Sequence, residues 1–209
     1  MVSRQTYESD NNLYPDNETK GEVLMEGQII YFEKTGKENT ASVLHIVKEY
    51  ACAKGIKKIV LASTKGNTAR AAADALEGTG IQLIVVPWQY GFGDQHGLGE
   101  QPFPQSLVTE LHRQGHKVHF GTMLFHTEEL YGSKIPRVIA NVLRIFGQGM
   151  KVCVEILMMA TDGGCLAKGE KVIVVAGTGN GADTAVVATA ASSLKPTDMR
   201  IHEILCKPL

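Results

Sequence analysis

The chain has 209 residues, of which 44% are apolar and 21% charged, and a formal net charge of -1, a length and composition that fit one compact α/β domain. No dense Lys/Arg run provides the concentrated basic footprint of a nucleic-acid surface. Apolar runs such as 83–88 and 152–160 fall far short of the ~20 residues that span a bilayer.

Residues 1–22 are rich in Asn, Asp, Glu, Ser and Thr and show no periodicity. They read as a polar arm ahead of a single domain over 23–209. The arm lacks the basic and apolar regions of a signal peptide, so the expected location is cytoplasmic.

Residues 29–32 read as a short strand, after which Asn39 or Thr40 can cap a helix running to Lys54. From Ile56 the pattern alternates: strand 58–62, helix 68–76, strand 81–87, with glycine-bearing turns between them. That is the βαβ signature of a parallel sheet. The segment 88–99 has four glycines and little periodicity, so it is a loop long enough to be functional. A helix over 105–113 and a strand over 117–121 follow. Helices over 134–146 and 150–161 are joined by Gly147-Gln148-Gly149, and strands over 171–176, 184–190 and 201–206 complete a three-layer α/β/α sandwich with a mostly parallel sheet.

Two loops carry the chemistry. Ser63, Thr64, Lys65, Gly66, Asn67 and Thr68 join an apolar strand to an alanine-rich helix. The first N–H groups of a helix lack intrahelical partners and sit at the positive end of its dipole, so such a loop can hold an anion, and Lys65 adds a full charge. A plain helix cap explains the same residues about as well, and the pattern is not G-x-x-x-x-G-K-[ST]. Gly177, Thr178, Gly179, Asn180, Gly181 and Asp183 form a second glycine-rich turn after another buried-looking strand. Both loops follow carboxyl ends of parallel strands, the edge where open α/β sheets build ligand crevices. Together they suggest one ligand site, with Asn39 and Thr122 as secondary members.

Other residues have plainer readings. Trp88, Tyr90 and Phe92 could stack on a planar ligand, although loop packing or a subunit contact is preferred. Glu155 reads as a solvated or capping group rather than a base. Cys52, Cys153, Cys165 and Cys206 are scattered, with no zinc-like spacing and no metal site expected. No spacing identifies a Ser-His-Asp or Cys-His nucleophile.

The 62–69 segment followed by Ala71-Ala72, together with 168–178, resembles the C-terminal α/β domain of pyruvate kinase. The closer likeness is to the separate prokaryotic proteins built like that domain. It is carried by Gly36-Lys37-Glu38-Asn39-Thr40, Gly91-Phe92, the 144–152 segment, Glu155 and the 177–184 segment, and it covers about 28–208. The resemblance implies the fold of that domain and a phosphate site on Ser63 to Thr68, and a homo-oligomer is expected. It implies no pyruvate kinase activity, because the barrel carrying the catalytic residues is absent from this sequence. Asp183-Thr184 replaces the usual Thr-Asn ending of the second loop and puts the sugar-phosphate activator in doubt. The resemblance further implies flavin mononucleotide (FMN), or another phosphorylated metabolite, in the crevice.

The leading expectation is a binding protein for a phosphorylated small molecule. A flavin-dependent oxidoreductase, with His96, Glu155 or Asp183 as proton donors, is one alternative. An oligomerisation module with vestigial loops is the other.

Overall fold

The computed structural model describes residues 27–209, so the polar arm lies outside the described residues. Seven strands form one sheet: β1 (Ile30–Phe32), β2 (Lys58–Ala62), β3 (Gln82–Val86), β4 (Lys117–Val118), β5 (Lys171–Ala176), β6 (Thr184–Thr189) and β7 (Arg200–Pro208). Their order is β1-β7-β6-β5-β2-β3-β4. β6 alone runs against its neighbours β5 and β7, and every other pairing is parallel. The helices are α1 (Thr40–Lys54), α2 (Asn67–Leu76), α3 (Gln105–Arg113), α4 (Glu128–Tyr131), α5 (Ile135–Arg144) and α6 (Gln148–Asp162).

The central strands are buried on both faces, which is why they read as continuous apolar runs rather than alternating ones. Side chains divide by parity: Ile59, Leu61, Leu83, Val85, Ile173 and Val175 join a core with α1, α2 and α3, whereas Val60, Ile84, Val86, Val172 and Val174 join a second core with α6. This is the three-layer arrangement that the period-2 pattern demands when both faces must be covered. Ala69, Ala72 and Ala73 of α2 are buried, and their short side chains let that helix lie close to β2 and β3. α5 rests on α6 and on the 124–126 turn rather than on the sheet, so it forms an outer layer.

The sequence reading holds for the long elements and drifts at the ends. The strand expected over 117–121 keeps only two ladder residues. The chain turns over the His119 ring, so a Cβ on Gly121 would sit 2.7 Å from His119 Nε2. β7 runs longer than expected because its far end pairs with β1. The four-residue α4 went unread. It is too short to show a helical period.

Candidate functional site

A cleft of about 680 Å³ opens at the carboxyl ends of β2, β3 and β5, within the range of small-molecule sites. Its first wall is the β2–α2 turn. Gly66 caps α2 with φ +86°, and any Cβ there would meet Leu107 Cδ2 at 2.5 Å, so both conformation and packing call for glycine. Ser63 is buried, and its Oγ accepts a hydrogen bond from Ala69 N–H at 3.2 Å. Arg70 N–H then donates to Gly66 carbonyl. The backbone N–H groups of Lys65, Gly66, Asn67 and Thr68 have no protein acceptor among the described residues. They stand where the α2 dipole is positive. Lys65 is exposed and in no ion pair among the described residues.

The second wall is the β5–β6 turn. Asp183 is wholly buried. Its Oδ2 accepts from Gly36 N–H at 2.9 Å and from Thr178 N–H at 3.0 Å, and its Oδ1 accepts from Thr184 Oγ1 at 2.8 Å. Thr40 Oγ1 accepts from Ala182 N–H at 3.0 Å. These bonds tie the start of α1 to the β5–β6 turn, although the two are far apart in sequence. The tie is close enough that a Cβ on Gly181 would meet Thr40 Oγ1 and, at 2.5 Å, Lys37 Cα. Lys37 and Thr40 are thereby brought to the cleft. The sequence had offered Thr40 only as a helix cap, and Lys37 only as part of the 36–40 segment that carries the family resemblance.

Of the expected site residues, Ser63, Thr64, Lys65, Asn67, Thr68, Gly177, Gly179, Asn180 and Gly181 line the cleft. Gly66, Thr178 and Asp183 stand behind it as framework. Asn39 uses its side-chain amide on the Lys34 carbonyl, and Thr122 is exposed. Neither lines the cleft.

The remaining side is α6, which contributes Gln148, Val152, Glu155, Ile156 and Met159. Glu155 is only 2% exposed, not the solvated group its residue type suggested. Its Oε2 accepts from Lys151 Nζ at 2.5 Å, and its Oε1 accepts from Phe125 N–H at 2.8 Å and lies 3.3 Å from His126 Nδ1. Burial pushes the Glu155 carboxyl up, but the His126 hydrogen bond, the Lys151 charge and the Phe125 N–H outweigh it and hold the group below the usual carboxylate range. Burial dominates at Lys151, which is 1% exposed: its ammonium is held below the usual lysine value although Glu155 opposes the shift. The signal was present in the sequence. Lys151 and Glu155 are one helical turn apart in a run that is otherwise apolar on every face, and such a run is a buried helix whose charges need partners.

Trp88, alone of the three loop aromatics, reaches the cleft. It meets Phe92 edge-on with centroids 5.1 Å apart, and the tilted His96 ring packs against both at 5.2 and 5.0 Å. Phe92 also meets His126 at 5.1 Å, so the 88–99 loop packs on itself and on the turn that holds Glu155. Among the described residues no cluster of three or more His, Cys, Asp or Glu side chains is placed to hold a metal ion. No helix there is long and apolar enough to cross a membrane.

Residues 41–188 match the family model described as pyruvate kinase, alpha/beta domain. Among solved structures, a pyruvate kinase from Cryptosporidium parvum is similar at 18% identity, with 70% of this chain and 22% of that chain covered and a TM-score of 0.36. A pyruvate kinase from the same organism in complex with ADP is similar at 17% identity, with 72% and 23% covered and a TM-score of 0.37. The chain thus matches less than a quarter of the length of those enzymes. By the family match, which takes in most of its residues, it belongs to the pyruvate kinase alpha/beta domain family.

Proposed function

We propose that this member of the pyruvate kinase alpha/beta domain family binds a phosphorylated small molecule in the cleft, with the phosphate on the turn from Ser63 to Thr68. The observation that carries the reading is the set of four backbone N–H groups, from Lys65 to Thr68, that lack a protein acceptor at the positive end of α2. Lys65 on the same turn and Lys37 across the cleft add charge that a phosphate would neutralise. The glycines of the β5–β6 turn leave room for a ligand to approach backbone. FMN is the ligand we favour. A mononucleotide fits a cleft of about 680 Å³, and the Trp88 ring at its side offers an apolar surface to a planar group.

Calorimetric titration with inorganic phosphate and with FMN tests this. Both bind the unaltered protein, both raise its melting temperature as the logarithm of one plus the ratio of free ligand to Kd, and Lys65→Ala weakens both by about tenfold, as expected for a lost charge-assisted hydrogen bond. Binding of neither probe overturns the reading and leaves the loops as turn chemistry on a structural module.

A further inference from the structure

We infer that Glu155 is the recognition group for the end of the ligand away from the phosphate, and that the ligand presents an N–H or O–H donor there. The inference rests on the proposed phosphate site and deepens it. Three side chains with formal charge line the cleft: Lys37, Lys65 and Glu155. The two lysines are exposed. Glu155 is buried, with Val152, Ile156 and Met159 beside it on α6.

A carboxylate offers about four acceptor positions. Lys151, Phe125 N–H and His126 occupy three: two are on Oε1 and one is on Oε2. Oε2 therefore keeps an acceptor position, on a group that lines the cleft. The carboxylate cannot turn to avoid a ligand, because donors from α6 and from the 124–126 turn hold both of its oxygens. Such a fixed acceptor in apolar surroundings is selective. It gains a bond from a ligand that donates and penalises one that presents a carbonyl or a second anion, since the buried charge would then face an acceptor.

A buried ion pair is poor evidence of stabilisation, because desolvating two charges cancels most of their attraction. Hydrophobic residues of similar size would fill this part of the α6 core at least as well. The pair makes sense as the means of holding an ionised acceptor at the cleft wall: Lys151, almost wholly buried and with Glu155 as the only hydrogen-bonding partner of its ammonium among the described residues, supplies the counter-charge from behind. This gives the ligand class as a phosphomonoester with an N–H or O–H donor at the opposite end, which includes FMN and other mononucleotides and disfavours short phosphorylated carboxylates.

The test compares three probes, inorganic phosphate, FMN and 3-phosphoglycerate, on the unaltered protein, on Glu155→Gln, and on the paired substitution Glu155→Gln with Lys151→Met. The pair removes both charges and keeps the helix packed should the single change leave Lys151 too costly to bury. FMN affinity falls by about tenfold or more in whichever variant folds, the loss expected for a hydrogen bond to a charged group, while inorganic phosphate binds within twofold of its original affinity. The unaltered protein also binds FMN more tightly than 3-phosphoglycerate. Equal FMN affinity in the variants overturns the role of Glu155 and leaves the phosphate site standing. A protein that binds neither phosphate nor FMN overturns both proposals together, and the two failures are thereby distinguished.

Discussion

At the scale of single residues, the β5–β6 wall of the cleft depends on glycine for two different reasons. Gly181 and Gly179 sit on the same turn, at φ +76° and +75°, yet they differ in what surrounds them. A Cβ on Gly181 runs into the Lys37 backbone and Thr40, whereas one on Gly179 meets nothing within 4 Å. Gly179→Ala therefore costs only the left-handed backbone, about 1 kcal/mol. Gly181→Ala adds a clash between the two segments that Asp183 ties together and costs about 2–4 kcal/mol. Urea denaturation of the two variants reads the difference directly, and equal midpoints would show that the tie between α1 and the β5–β6 turn is loose. The sequence placed both glycines in one loop but could not separate their roles. The distinction depends on Lys37 and Thr40, whose approach is set by the fold rather than by spacing. Asp183 teaches the same point: it looked like a site residue because it closes a glycine-rich turn, and it is a wholly buried acceptor of three hydrogen bonds.

At the scale of elements, α6 shows both the reach and the limit of pattern reading. The apolar runs before Ser63 and Gly177 read as buried strands, because full burial on both faces leaves a signature that needs no knowledge of partners, and 150–161, which was read only as a helix, carries the same signature. The Lys151–Glu155 pairing was legible in the spacing of two charges within such a helix, whereas the bonds from the 124–126 turn were not, because that turn lies far from Glu155 in the sequence. The Lys151–Glu155 pair has a consequence for acid stability. The carboxyl of Glu155 is held below its ordinary value of about 4.3 in the folded chain, by contacts that the unfolded chain lacks. Unfolding therefore takes up a proton once the pH drops below about 5, and the stability contributed by the ionised group is present above that range and lost as pH falls through the folded value. Lys151 works in the opposite sense: its lowered value withholds stability wherever the ammonium is charged, and that stability returns only as the solution becomes alkaline. The expected outcome is that the Glu155→Gln, Lys151→Met pair loses less stability than the unaltered protein between pH 5 and pH 3, measured as the change in urea midpoint. Parallel acid profiles would mean that Glu155 is not held ionised by its neighbours.

At the scale of the whole molecule, the largest apolar surface that the described residues leave uncovered is the outer face of α5. Ile135, Val138, Ile139 and Val142 recur at helical spacing, and all are exposed, as are Leu130, Tyr131, Ile145 and Phe146 at either end of the stripe. The accessible surface of these residues is on the order of 1,000 Å², whereas each partner in a standard protein interface buries about 800 Å², and patches of that size on a lone chain mark an interaction site. An apolar helical stripe is complementary to itself when two copies pack about a twofold axis, ridges of one helix entering grooves of the other. The ion pair between Arg137 and Glu128 at 2.6 Å would then belong to the polar rim rather than to the buried centre. A second copy of this chain is accordingly the occupant expected on α5. Sedimentation equilibrium should give a dimer or a larger even-numbered assembly for the unaltered protein, and a monomer for Val138→Asp, Val142→Asp, with the circular dichroism of the fold retained. An unaltered protein that sediments as a monomer at micromolar concentration would overturn self-association. A variant that keeps the original mass would move the interface elsewhere, the exposed edge strand β1 being the next surface to alter.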